Sequence, residues 1–372
     1  MTEVEIGPNK RGRVAYSLDD VAIAPSRRTR DPRECSTAWR LDAYSFDVPV
    51  VAAPSDSVVS PATAAEISRL GALAVLNLEG LWTRFADPEE HLRDLGRMSP
   101  GAALARMQQL YREPISAELM GARIRQLRDL GITVAGALSP QLAEQYAEVV
   151  TDAGMDVFVI RGTTVSAEHV TGSGAPLNLK QFIYELEIPV VVGGVATKSA
   201  ALHLMRAGAA GVLVGFGGGA AHTTHQVLGV RVPMATAIAE VAAARTAYLD
   251  ESGGRYVHVI ADGGMGRTGD IVKAVACGAD AVMVGSMLAR ADEAPGAGRH
   301  WGMEAVHPTL PRGEIVELGT SGSLAEILVG PSTVASGLMN IAGALRRAVA
   351  TCGYADLKEF QRVEVVVGGG PR

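Results

Sequence analysis

Eight short apolar runs, each followed by a helix-like stretch, constrain this chain more than any other feature. They lie at residues 48–53, 72–77, 133–138, 156–161, 189–194, 211–216, 256–261 and 281–285, and consist mostly of Val, Ile, Leu and Ala without polar alternation. A strand with one wet face alternates, whereas a strand covered on both faces of a parallel sheet reads as a continuous apolar run. Helical patterns fill the intervals at 61–70, 116–130, 140–152, 179–186, 198–207, 234–251 and 268–277. Ser60 before Pro61 and Ser139 before Pro140 are start signals for two of them. Eight alternations predict an α/β fold, a single (β/α)8 TIM barrel. A doubly wound open sheet is the alternative, but no early GxGxxG supports it.

The barrel is expected over residues 46–353, with an N-terminal arm at 1–45 and a C-terminal tail at 354–372. Two segments exceed a minimal unit. Residues 81–114 form an amphipathic insertion after the second strand. Residues 289–338, rich in Gly, Pro and Ser, follow the eighth. A long loop leaving the C-terminal end of a barrel strand is a candidate lid. The cluster Arg27, Arg28, Arg30 and Arg33 reads as a solvated or subunit-contacting arm.

Charge narrows the function classes. With 34 basic and 40 acidic residues the net charge is −6, which argues against nucleic-acid binding. No run of 18 apolar residues exists, so no membrane span is expected. Cys35, Cys277 and Cys352 are widely spaced with no CxxC, which suggests a reducing cytoplasm and neither a disulfide framework nor a zinc site.

One internal repeat is visible. Shifting residues 190–215 by 70 positions lays them on 260–285 without a gap: Gly193 and Gly194 fall on Gly263 and Gly264, Gly208 and Ala209 on Gly278 and Ala279, and Gly215 on Gly285. A gapless repeat of a strand–helix–strand unit suits a barrel of duplicated ancestry.

Ligands of such barrels sit at the C-terminal strand ends, and glycine collects there: 217–219 after strand six, Gly263-Gly264 after seven, Gly285 followed by Ser286 after eight. Bare backbone N–H groups cradle phosphate, so a phosphorylated ligand is expected; the plainer reading is that the glycines only turn the chain. Asp262 stands where the first copy of the repeat has Val192. A carboxylate at an apolar strand tip needs partners, and a pair of sugar hydroxyls would serve; a helix cap is the plainer alternative.

Ala261-Asp262-Gly263-Gly264, together with AVMVGSMLA at 281–289 and EAPG at 293–296, resembles the IMP dehydrogenase/GMP reductase family. PVVAAPSDSV at 49–58 is similar to its first-strand motif, and GVRVPMATAIAEV at 229–241 to the segment after its catalytic loop. The resemblance is to the branch without the CBS-domain pair, since only about 35 residues follow the second strand where that insert belongs. It implies a purine nucleoside 5′-monophosphate site. Asp262 would hold the ribose hydroxyls, Gly263, Gly264, Gly285 and Ser286 the phosphate, and His300, Gly302 and Met303 would close over it. Ser55, where the family usually has methionine, and Asp56 would complete the first-strand side.

The catalytic loop at 217–224 departs from the family pattern Gly-x-Gly-Ser-x-Cys-x-Thr. Gly217, Gly219 and Thr224 match, but Ala220 replaces the phosphate-binding serine and His222 the nucleophilic cysteine. A thiolate mechanism needs sulfur as nucleophile and leaving group, so His222 either handles a proton or hydrogen bond, or only fills the vacated space. His225 and His307 read as surface residues. Arg161, Gly162 and Thr163 stand where the dehydrogenases carry an acidic turn for the nicotinamide ribose, and Val195 where they carry asparagine. Arg312 is the nearest lid residue to an arginine base, and it also reads as a surface charge.

The implied activity is NAD-linked oxidation of IMP to XMP in guanine nucleotide synthesis. One alternative is a non-catalytic or regulatory nucleotide binder. Another is an FMN-dependent oxidoreductase, since residues 190–196 and 208–215 also look like a flavin-phosphate motif. The resemblance further allows a monovalent cation and implies a homo-oligomer, a tetramer by analogy.

Overall fold

The computed structural model describes residues 3–166, 177–307 and 309–368. Pro308 of the expected flap and residues 369–372 of the expected tail lie outside them. Eight parallel strands close a barrel in chain order: β1 (Val50–Ala52), β2 (Leu73–Asn77), β3 (Ala135–Leu138), β4 (Val157–Arg161), β5 (Val190–Val195), β6 (Gly211–Gly218), β7 (His258–Gly263) and β8 (Ala281–Val284). β8 returns onto β1 with Val282 opposite Val50. The predicted TIM barrel is the fold, and each apolar run falls on one strand. β6 and β7 run two residues beyond their apolar stretches because Gly218 pairs with Gly263, which extends the ladder through glycine.

Side chains of alternate residues fill the interior: Val51, Leu73 and Val75, Val157 and Val159, Leu213, Ile260 and Met283 form one buried cluster. The other face of the strands packs on surrounding helices. The helices of the described residues are α1 (Pro61–Arg69), α2 (Glu89–Arg97), α3 (Pro100–Leu110), α4 (Ala117–Asp129), α5 (Pro140–Asp152), α6 (Leu179–Glu185), α7 (Lys198–Arg206), α8 (Thr224–Leu228), α9 (Met234–Glu251), α10 (Thr268–Ala276), α11 (Leu324–Leu328), α12 (Ile341–Thr351) and α13 (Leu357–Phe360), of which α2, α3, α11 and α13 pack mainly on other helices and turns. Burial on both faces is what the unbroken apolar runs required. Ser60 caps α1 as expected, accepting from the Thr63 amide at 3.1 Å. Ser139 precedes α5 without a side-chain cap bond.

The repeat is structural. α7 and α10 start and stop 70 residues apart, and Gly208 and Gly278, at φ +108° and +115°, turn each helix into the next strand with the same left-handed residue.

The N-terminal arm and the tail are tied to each other and to the barrel. Val21–Ala24 pairs antiparallel with Glu364–Val367. The hairpin of Trp39–Leu41 and Tyr44–Phe46 plugs the N-terminal mouth, with Leu41 fully buried and the Trp39 and Phe46 rings stacked at 5.2 Å. The insertion supplies α2 and α3, which support the flap: Arg299 donates to the carbonyls of Leu95 and Met98 at 2.6 and 2.7 Å. The flap folds over the C-terminal mouth, where Arg299–His300 pairs with Val316–Glu317. Among the described residues no helix is long and apolar enough to cross a membrane.

Candidate functional site

Two strand tips are bent by glycine at the C-terminal mouth. Gly215, Gly263 and Gly264 have φ of +139°, +95° and +78°. A Cβ on Gly215 would stand 2.2 Å from the Asp262 carbonyl, so only glycine lets β6 pass β7 here. Gly193 and Gly194, part of the flavin-like motif, are spent similarly, against Leu213 and the Gly215 carbonyl.

These tips and the flap enclose a cavity of about 240 Å³. Ser55, Arg161, Gly219, His222, Asp262, Gly263, Gly264, Gly285, Ser286, His300 and Gly302 all line it. A second, more open cavity of about 590 Å³ shares Arg161 with the first and takes in Gly162, Thr163, Met303, Glu304 and Arg312. Thr163 Oγ1 and Arg312 Nε are buried there without a protein partner. The expected residues thus fall into two adjoining spaces, with Met303, expected to close over the nucleotide, on the wall of the open one instead.

Three expectations need correction. Asp56 does not line either cavity. It is fully buried beneath β1, where its Oδ2 accepts from the Leu81 amide at 2.8 Å and from the Tyr111 hydroxyl. A Cβ on Gly80 would collide with its Oδ1, so the insertion closes over it. Burial pushes the Asp56 carboxyl up to about 6, against the hydrogen bonds of Tyr111 and Leu81. Thr224 is buried in α8, away from both cavities. Arg312 is not a plain surface charge, because the flap is zipped to the catalytic loop on either side of it. Thr223 donates to the Arg312 carbonyl at 2.6 Å and Glu314 to the Ala221 carbonyl at 3.0 Å. Gly217 lies in β6.

His300 is set by a hydroxyl relay. Ser55 donates to the Trp301 carbonyl at 2.5 Å, which leaves its oxygen to accept from Ser57 at 2.7 Å. Ser57 then accepts from His300 Nδ1 at 2.9 Å. The ring is therefore the Nδ1–H tautomer, with Nε2 an acceptor facing Gly285. Burial, with His222 and Arg161 nearby, pulls its pKa down to about 3, so it is neutral.

Charge runs across the mouth through four residues. Arg161 Nε donates to Asp262 Oδ2 at 3.2 Å, and its Nη1 lies 3.7 Å from Glu304 Oε1. Glu304 Oε2 lies 3.4 Å from His222 Nδ1. Burial opposes the Arg161 charge, and Asp262 and Glu304 outweigh it. Burial likewise works against the Glu304 carboxylate, but His222, Arg161 and Arg312 hold it at about 2. Sequence reasoning missed Glu304. It belongs to a short 3-10 turn (Met303–Val306) with no periodicity, and its only signal was its place directly after Met303.

No cysteine reaches the cavity. Cys35 and Cys352 are buried elsewhere, and Cys277, at the end of α10, has its thiol pushed up by burial to about 11. Among the described residues no group of three His, Cys, Asp or Glu side chains is placed to hold a metal.

Comparison with known proteins gives the same family as the motifs. The profile of the IMP dehydrogenase / GMP reductase domain matches residues 15–305. An uncharacterized oxidoreductase of Mycolicibacterium smegmatis is 52% identical, covering 98% of this chain and all of that one. The crystal structure of an IMP dehydrogenase/GMP reductase-like protein from Corynebacterium glutamicum superposes with a TM-score of 0.93 at 48% identity, over 98% of each chain. The inosine-5′-monophosphate dehydrogenase of Methanocaldococcus jannaschii is 43% identical over only 44% of this chain and 31% of its own length. With a profile spanning most of the residues and near-full-length relatives at about half identity, the chain belongs to the IMP dehydrogenase / GMP reductase family.

Proposed function

We propose that the chain is an oxidoreductase that binds a purine nucleoside 5′-monophosphate in the enclosed cavity, with a nicotinamide dinucleotide in the open one. The observation that carries this reading is the convergence of Gly264, Gly285, Ser286 and Asp262 on one walled space. Backbone N–H groups at glycine tips suit a phosphate dianion, and an ionised carboxylate suits a vicinal diol. Full-length relatives named as oxidoreductases support the reaction class, and the partial match to an inosine-5′-monophosphate dehydrogenase supports the substrate class.

The residues fit the cofactor. Thr163 and Arg312 bring buried polar atoms with no protein partner to the wall of the open cavity, and would hold the dinucleotide. That group supplies hydride acceptance or donation. This chain supplies the rest: it binds the phosphate, orients the base between the His222 loop and the flap, and excludes water under Trp301, which is 2% exposed.

The test is a thermal-shift panel with IMP, XMP, GMP, AMP, NAD, NADPH and FMN. A ligand at a hundredfold excess over its dissociation constant stabilises the fold by about 2.7 kcal/mol. A shift with one purine monophosphate is expected. No shift with any purine would remove this reading, and a shift with FMN alone would replace it with a flavin enzyme. Binding without any turnover would leave the regulatory alternative.

A further inference from the structure

His222 and Glu304 meet inside the site, side chain to side chain. Nδ1 of His222 lies 3.4 Å from Glu304 Oε2, yet neither atom has a hydrogen-bond partner of good geometry, and both are buried. The two side chains are 8% and 11% exposed. The far side of the ring faces the cavity: Cβ atoms built on Gly219 and Gly302 would stand 3.8 and 3.3 Å from Nε2. The loop carrying His222 is pinned to the flap carrying Glu304 by a bridge between His222 and Gly313. Loop and flap together therefore hold the pair in contact.

We propose that His222 is the proton-handling catalytic residue of this site and Glu304 its positioning partner, replacing thiol chemistry with acid–base chemistry. The proposal deepens the nucleotide reading and rests on it. In the step itself, Nε2 takes a proton from a water molecule as the water oxygen adds to a ring carbon of the bound purine. One O–H bond breaks, one N–H and one C–O bond form, and the π electrons of the ring C=N move onto its nitrogen. With the Nδ1–H on the Glu304 side of the ring the Nε2 lone pair is free, and the carboxylate 3.4 Å away then offsets the imidazolium charge. The other charged groups about the ring are Arg161 and Asp262 on the barrel strands, and Arg312 and His300 on the flap; His300 is neutral. Among the described residues the Glu304 carboxylate is the anion in contact with the imidazole.

The test separates dyad from ligand. Histidine ring tautomers are read by 15N NMR in the ligand-free wild type, Glu304→Gln and Glu304→Asp. We expect Glu304→Gln to shift the His222 ring away from its Nδ1–H form, and Glu304→Asp to restore part of that preference. Turnover with NAD should fall at least a hundredfold in Glu304→Gln and in His222→Asn, and no further in the double variant, while IMP affinity, measured by calorimetry, falls far less than turnover in each. An unmoved His222 tautomer in a folded Glu304→Gln protein overturns the dyad, as does unchanged turnover. Absence of IMP binding in the wild type overturns the nucleotide reading instead, and leaves the tautomer measurement to decide whether the pair is coupled.

Discussion

Asp280, directly before β8 at the N-terminal mouth of the barrel, and Asp262, in β7 at the C-terminal mouth, are carboxylates 18 positions apart, and they are finished differently. Asp280 is 4% exposed and accepts from Tyr256 and the Val259 amide at 2.8 Å each, from Arg245 at 3.0 Å and from Gln361 at 3.1 Å, with Lys358 also in contact. Asp262 meets Arg161 at 3.2 Å and otherwise faces the cavity. At the C-terminal mouth His222 Nδ1, Glu304 Oε2 and Thr163 Oγ1 are all buried without partners. One end has spent its polar groups on holding the chain together; the other has kept them for something else. The contrast matches the general division of a TIM barrel into a stability face and a working face.

The sharpest way to break the contrast is Asp280→Ala. It strands Arg245, which is 11% exposed, beside a carboxylate that is no longer there. Removing one partner of a buried pair costs roughly 3–5 kcal/mol. Urea unfolding should show that loss in the midpoint, and the activity per folded molecule should not change. A loss under about 1 kcal/mol would mean that the N-terminal cluster is ornamental.

Asp262→Asn should invert the pattern. The residue borders a cavity, Asn keeps a side-chain oxygen for Arg161, and Glu304 keeps a charge beside it, so this largely buried pair should lose clearly less unfolding stability than Asp280→Ala does. Nucleotide affinity should drop about ten- to a hundredfold, about 1.4–2.8 kcal/mol, by calorimetry. Stability lost without affinity would place Asp262 with Asp280 as a structural residue.

Asp56 tests the border between the two regions, because it lies under the working face but belongs to the frame. Its folded pKa of about 6 stands above the ordinary 3.8, so the folded state binds the proton more tightly than the unfolded chain does. Stability from this group is present below the ordinary value and is lost as pH rises from about 4 to about 6. His300, held at about 3 against an ordinary 6.5, works the other way and adds stability over the same rise. Asp56→Asn removes only the first effect. The variant should gain on the wild type between pH 4 and 6, by of order 1–2 kcal/mol, in unfolding curves taken across that range. A difference independent of pH would mean that the buried carboxyl is not the titrating group.

How much of this was readable beforehand follows from what each part depends on. The strands were legible because burial on both faces of a parallel sheet leaves a one-dimensional mark, and the 70-residue repeat carried over into α7 and α10 residue for residue. Gly263, Gly264, Gly285, Ser286 and Asp262 were legible because strand tips converge in any such barrel. Asp56 misled because its motif gives its position on the first strand but not the direction of its side chain, which Gly80 and Tyr111 of the insertion decide. Glu304 and Arg312 were hidden or misjudged for a related reason. Their surroundings are set by a backbone bridge between a loop and a flap about 90 residues apart, and no local pattern encodes such a contact.

The smallest expected effect discriminates within the N-terminal cluster. Lys358 touches the same carboxylate as Arg245 and lies 3.9 Å from the Tyr256 ring centre, so a contact diagram would rank the two cations alike. Exposure separates them: the Lys358 side chain is 55% exposed and that of Arg245 is 11%. Water screens a half-exposed ammonium and can replace it at the carboxylate, whereas the guanidinium leaves a dry gap. Arg245 also reaches the Gly278 carbonyl at 3.1 Å, which ties the end of α10 to α9. Lys358→Ala should therefore cost less than about 1 kcal/mol, and that cost should shrink further in molar salt. A loss approaching that of Asp280→Ala would show that Asp280 depends on α13 closing over it, and that the tail, more than the barrel, finishes the stable end.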